Sequence, residues 1–193
     1  VLERNENYYR ELAYLDVVIM ILDGGDSMAM YENDEIDITG VGLFDLDRIL
    51  NPNEVLNKDL VVWPPDFGVS YVLFNVNMPP FDDAKFRLAL NHAVDKEYIA
   101  TEVLSDLVRP ARGILPPGFP AYNPDLIGLN YDPELARQLL SDSSYGKSEN
   151  RPTIVIALPG NDEIIGLDLE HVFDMWKQEL GVHVSTNQIE WAT

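Results

Sequence analysis

The chain has 193 residues, 46% of them hydrophobic, no cysteine, and a formal net charge of -20 from 33 acidic and 13 basic side chains. That length and composition support a folded core without staples, and the missing thiols exclude disulfides, zinc-thiolate sites and thiol nucleophiles while leaving the compartment open. The charge repels phosphate backbones and anionic lipid surfaces, so nucleic acid is not an expected partner.

No apolar run approaches the roughly 18 residues a membrane span needs. No export signal stands at "VLERNENYYREL", so the expectation is either a protein without one or an interior piece of something longer. The first predicted element is a buried strand over Leu15–Leu22, ending at the "DGGD" turn of residues 23–26. Asp26 or Ser27 then caps a short helix through Glu32. Asn33 and Asp34, which tolerate left-handed backbone, stop it. Ile36, Ile38 and Val41 suggest a short extended piece, and a second helix is predicted over Phe44–Leu50.

Leu60–Trp63 and Val69–Val76 read as strands, the second apolar on both faces as in a covered sheet. From 82 to about 105 helix signals dominate. Phe86, Ala89, Leu90, Ala93 and Val94 recur at the spacing of one buried helical face. The segment "GILPPGFPAYNPDLIG" (113–128) is an irregular, stiff surface stretch. Asp132 as cap, Pro133 at the first helical position and Glu134 in the first turn start the next helix. Leu135, Ala136, Leu139 and Leu140 form its apolar stripe. Thr153–Leu158 is predicted as a strand, Glu163–Leu180 as a long helix ended by Gly181, and Val182–Trp191 as the last strand. Strand and helix alternate, so the class is α/β.

Catalytic chemistry finds little support. On the 82–99 helix His92 points about 120–140° from the apolar stripe, onto a wet flank with Asp95, where the two make at most an exposed contact of a few tenths of a kcal/mol. His171 with Asp168 and Asp174 lies opposite the apolar stripe of its own helix. His183 alternates away from Val182 and Val184. The carboxylates of "DGGD" are explained by a strand-to-helix turn capped by Asp26. No H-E-x-x-H, EF-hand, P-loop or G-x-S-x-G pattern occurs, so no catalytic residue, metal ligand or cofactor is assigned. Aromatic residues offer another reading: Tyr8, Tyr9, Tyr14, Trp63, Phe67, Tyr71, Phe119, Tyr122 and Trp191 sit near loops and strand ends, where such rings line ligand clefts.

The stretch "FNVNMPPFDDAKFRLALNHAVDK" (74–96) carries Phe74-Asn75, Pro80-Phe81-Asp82-Asp83, then Arg87, Ala89, Leu90, Ala93, Asp95 and Lys96. In this it resembles the extracellular solute-binding proteins of family 5, the peptide and nickel class of ABC importers. Leu115-Pro116-Pro117-Gly118, Tyr122-Asn123-Pro124, Tyr131-Asp132-Pro133 with Ala136 and Leu139-Leu140, and "LGVHVSTNQIEW" continue the resemblance in order, as do "RNENYY", "AYLDVV" and "EIDIT" upstream. Asn33-Asp34 replaces the glycine that relatives carry before Glu35.

The resemblance implies a type II periplasmic-binding-protein lobe, a mixed sheet flanked by helices. Residues 1–193 are then one structural unit, mainly the second lobe of a two-lobed protein, truncated at both ends. It implies non-catalytic binding of a solute, peptide-like in the first instance, by closure of two lobes outside the cytoplasmic membrane, with or without a lipid anchor. The partners implied are the ligand, the missing first lobe and the transmembrane subunits of an ABC permease. Candidate ligand contacts are Tyr71, Asn75, Phe119, Tyr122, Asn161, Asp162 and Glu163. Peptide-binding relatives grip the ligand's amino terminus downstream of the Glu190-Trp191 motif. Others hold its carboxylate with Arg or His in the loop that here reads "PGNDEIIG", where Asp162 and Glu163 would repel it. The alternative class is a carboxylate- or metal-dependent hydrolase, which requires carboxylates or a His-carboxylate pair converging in one pocket.

Overall fold

The computed structural model describes residues 1–22, 24–64, 66–147, 151, 153–159 and 165–189. They fall into two units, Val1–Val61 and Val62–Thr193, each with buried residues of its own.

In the first unit β1 (Leu2–Glu3) pairs antiparallel with β2 (Val17–Val18), Leu2 opposite Val18 and Glu3 opposite Val17. The buried strand expected over Leu15–Leu22 is therefore only two residues long, and its apolar side chains are exposed. A two-residue partner supplies too short a ladder to order the rest. The helix after it follows the sequence signals: α1 (Ser27–Glu32) is capped by Asp26, whose carboxylate accepts from the amides of Met28 at 2.9 Å and Ala29 at 3.2 Å. Asn33 ends it, and Asp34 takes the left-handed φ of 58°. The extended piece expected around 36–41 forms no ladder, and Ile38 lies exposed. α2 (Leu43–Leu50) buries Leu46 and Ile49. Its Arg48 bonds Asp45 at 3.0 Å and pairs with Glu32 of α1. Asn57, in a 3-10 turn over Val55–Asp59, donates to the Ile49 carbonyl at 2.8 Å.

Neither Leu60–Trp63 nor Val69–Val76 enters a ladder, contrary to the sequence expectation. A strand needs a neighbour to receive its backbone hydrogen bonds, and among the described residues no strand is paired with these stretches. Val72 and Phe74 nevertheless pack against the core. Phe74 stacks on Phe81 with centroids 4.8 Å apart and planes 13° apart, and Phe86 meets Phe81 and Tyr145 edge-on at 6.2 and 5.6 Å.

The helix expected as one piece from 82 to about 105 is three. α3 (Ala84–His92) buries Phe86, Ala89 and Leu90, as the periodicity predicts. α4 (Lys96–Tyr98) starts afresh at Asp95, whose carboxylate accepts from the Tyr98 amide at 3.0 Å. A π-helical turn over Ile99–Val103 follows. The break has a tertiary cause: Val94 bonds back to Asn91, and the carbonyl of Leu90 instead receives the buried indole N–H of Trp176 at 2.8 Å. α5 (Pro133–Ser141) begins as expected, Asp132 accepting from the Leu135 amide at 2.9 Å with Pro133 in the first turn, and buries Ala136 and Leu140.

β3 (Ile154–Pro159), α6 (Leu167–Leu180) and β4 (Val184–Ile189) make a βαβ unit. The strands are parallel and in register from Ile154 opposite Val184 to Pro159 opposite Ile189. Parallel neighbours require such a crossover. α6 turns Trp176 and Leu180 inward, with Val172 and Phe173 partly buried beside them. Gly181 ends it at a left-handed φ of 63°, as its identity suggests. The predicted helix residues 163 and 164 and strand residues 190 and 191 lie outside the described residues.

The turn "PFDD" fastens α3 to the loop after α5. Asp83 caps α3 through the amides of Lys85 at 2.8 Å and Phe86 at 3.3 Å, and its second oxygen accepts from the Ser144 amide at 2.8 Å. Asp82 accepts from the Tyr145 hydroxyl at 2.9 Å. The Ser144 amide foremost, with the two helix amides, holds the Asp83 carboxyl below its ordinary 3.8. A carboxyl lowered on folding stabilises fully above its unfolded pKa and loses that contribution as pH falls through the folded value. Asp83→Ala is therefore expected to cost about 1–2 kcal/mol at neutral pH. In urea denaturation the gap to the unaltered protein should close as the pH is taken below the carboxylate range.

Candidate functional site

The proline-rich segment is held at its far end by His92 and Lys96, from the stretch that carries the family resemblance. The His92 ring, with Nδ1 carrying the proton, donates to the Asn130 carbonyl at 2.7 Å, and Lys96 Nζ donates to the Leu129 carbonyl at 2.8 Å. The Asp132 amide returns a bond to the His92 carbonyl at 2.9 Å. His92 is thus half-buried and tethered, not idle on a wet flank, and Asp95 turns away to cap α4 rather than meeting it. A partner 38 residues along the chain leaves no trace in local spacing.

A cleft of about 290 Å³ lies between the start of α4, Pro110–Arg112 and residues 127–131. Burial, and then the nearby Arg112, push the Lys96 ammonium below its ordinary 10.5, with Glu97 acting against them. On the wall of the same region the Tyr131 hydroxyl donates to Glu179 at 3.2 Å, and Arg137 pairs with the other oxygen of that carboxylate at 2.6 Å. Burial first, then Glu179, raises Tyr131 above its ordinary 10.0.

The proposed ligand contacts divide into three sets. Phe119 and Tyr122 come together in one turn, the Tyr122 amide bonding to the Phe119 carbonyl at 3.0 Å, both rings partly exposed. Phe67 meets Phe119 edge-on with centroids 6.0 Å apart. Gly118 takes a left-handed φ of 85°, which favours glycine, and a Cβ there would stand 3.0 Å from the exposed Phe67 ring, which would have to shift slightly. Tyr71 and Asn75 lie exposed on the extended stretch before α3, and Asn75 Oδ1 accepts from the Asn77 amide at 3.1 Å. Among the described residues no hydrogen bond or ring contact joins this pair to Phe119 or Tyr122. Asn161, Asp162 and Glu163 lie outside the described residues, as do Asp23 and Trp191.

Among the described residues, the groups a hydrolase would need are not brought together. His171 donates through Nδ1 to the Leu167 carbonyl of its own helix at 2.8 Å, and its ring lies 6.2 Å from that of Tyr98, while His183 is exposed. Asp26 is engaged as a helix cap. Among the described residues no three His, Asp or Glu side chains are grouped to hold a metal ion. No helix among them is long and apolar enough to cross a membrane.

The family described as "Bacterial extracellular solute-binding proteins, family 5 Middle" matches residues 1–193. Heme-binding protein A of Haemophilus influenzae is 33% identical over 142 residues, which are 73% of this chain and 26% of that protein. The periplasmic oligopeptide-binding protein OppA of Escherichia coli is 26% identical over 211 residues, 100% of this chain and 36% of its own length. Among solved structures, a dipeptide-binding protein from a Pseudoalteromonas species, in complex with Met-Leu, superposes with a TM-score of 0.67 at 25% identity over 98% of this chain and 37% of that one. The chain belongs to family 5 of the bacterial extracellular solute-binding proteins, and its fold is that of their type II periplasmic-binding-protein class. Family members are binding proteins. It spans about a quarter to just over a third of the length of the relatives it matches.

Proposed function

We propose that residues 1–193 form the middle part, mainly the second lobe, of an extracytoplasmic solute-binding protein that delivers a peptide-like solute to an ABC importer without converting it. The observation that carries this reading is the family match along all 193 residues. Binding energy would drive closure of this lobe against the first lobe of the same polypeptide, and the closed state is what the permease subunits would recognise. The working place is outside the cytoplasmic membrane, with or without a lipid anchor in the full-length protein.

Phe119 and Tyr122, with Tyr71, Asn75 and the 161–163 loop, are the proposed contacts on this lobe. Partly exposed rings held by a stiff, tethered segment suit a pocket that orders little on binding. In calorimetric titration of the full-length polypeptide with defined di- to pentapeptides, Phe119→Ala and Tyr122→Ala are each expected to weaken binding about tenfold. Unchanged affinity in both variants would remove this turn from the site.

A further inference from the structure

Two cations share the cleft beside α4 without an acid to neutralise them. Among the described residues Arg4, Arg48, Lys85 and Arg137 are each paired with a carboxylate, whereas neither Lys96 nor Arg112 is. Both line the cleft of about 290 Å³. Lys96 is half-buried there and gives one of its three donors to the Leu129 carbonyl at 2.8 Å. Arg112 is exposed, and among the described residues its guanidinium makes no hydrogen bond. It stands close enough to help push the Lys96 ammonium down. The Arg112 backbone is pinned as well: Gly128 has a φ of 72°, and a Cβ on it would lie 2.8 Å from the Arg112 carbonyl oxygen.

The acids of the wall leave the two cations uncompensated. The Asp95 carboxylate caps α4 through the Tyr98 amide, and Glu97 acts on Lys96 from beyond ion-pair distance. Pro110, Ala111, Ile127 and Leu129 add an apolar wall. Two like charges held in a half-enclosed cleft repel each other, and an anion between them relieves both. A carboxylate matches the planar fork of an arginine, while the apolar wall favours a short hydrocarbon tail. The volume is at the low end for ligand pockets, which limits the tail to a few carbons.

We propose that this cleft binds a small aliphatic monocarboxylate, its carboxylate bridging Lys96 and Arg112 and its chain lying against Ile127 and Leu129. None of the peptide contacts named above lines the cleft, and the proposal does not depend on peptide binding. The test is calorimetric titration of the full-length polypeptide with 4-methylpentanoate, alongside 4-methylpentanamide, 4-methylpentan-1-amine and inorganic phosphate. The carboxylate should bind with a dissociation constant on the order of 1 mM or tighter, and more tightly than each of the other three. Arg112→Gln, at an exposed position, should weaken it about tenfold, and Arg112→Lys should recover part of the loss. The absence of saturable binding up to about 10 mM would overturn the proposal. So would tighter binding of the amine, which would make Glu97 the anchor, or of phosphate, which would remove the apolar wall from the site. Carboxylate affinity unchanged in Arg112→Gln would place the binding elsewhere on the protein and equally end it.

Discussion

Trp176→Ala is expected to destabilise the second unit by about 3–5 kcal/mol, the range for emptying a large aromatic from a core. The indole is 2% exposed and touches Phe74 and Phe173, with ring centroids 6.4 and 6.2 Å away. It also supplies the hydrogen bond that occupies the Leu90 carbonyl where α3 stops. The two contributions separate in Trp176→Phe, which keeps most of the packing and loses the donor, for a cost of about 1–2 kcal/mol. Urea denaturation followed by circular dichroism reads both. A cost below about 1 kcal/mol for the alanine variant would mean that the packing around α6 is not the keystone of this unit.

Arg151 carries the second large effect. Its guanidinium donates to the carbonyls of Tyr145 at 3.2 Å, Gly146 at 2.8 Å and Leu180 at 2.6 Å. It thereby joins the loop after α5 to the last turn of α6, whose carbonyls have no partners within the helix. Arg151→Met strands three acceptors at once and is expected to cost about 2–4 kcal/mol. Arg151→Lys should restore less than half of that, because a single ammonium cannot span the planar fork's three directions. The midpoint of urea unfolding measures the loss. Full rescue by lysine would show that charge, rather than the fork, is what the site uses.

What was legible in the sequence was the chemistry of helix ends. Asp26, Asp132 with Pro133, and Gly181 announce α1, α5 and the end of α6 through groups that act within a few residues, and the structure places each in that role. The stripe from Phe86 to Ala93 was equally readable, being a property of one helix face. The break at Ala93–Asp95 was hidden because the apolar period runs through it, and its cause sits 86 residues away in Trp176. Val69–Val76 reads as a strand and lacks a ladder for the complementary reason: residue type prepares a strand, but only a neighbour completes it. At the candidate site the aromatic content of the Phe119 turn could be read, whereas the His92 and Lys96 tethers that hold its segment depend on contacts across 38 and 33 residues. His92 and Lys96 fix one loop, and the aspartates at 82 and 83 fix another.

Calorimetry of peptide binding, run in parallel on the full-length polypeptide and on residues 1–193, addresses the binding function most directly. The expected result is saturable one-to-one binding by the full-length protein with the peptide recovered intact, and binding at least tenfold weaker by residues 1–193, which on the proposed two-lobed reading carry only part of the contact surface. Cleavage of the peptide, no binding by the full-length protein, or equally tight binding by residues 1–193 alone would contradict a two-lobed, non-catalytic solute-binding protein.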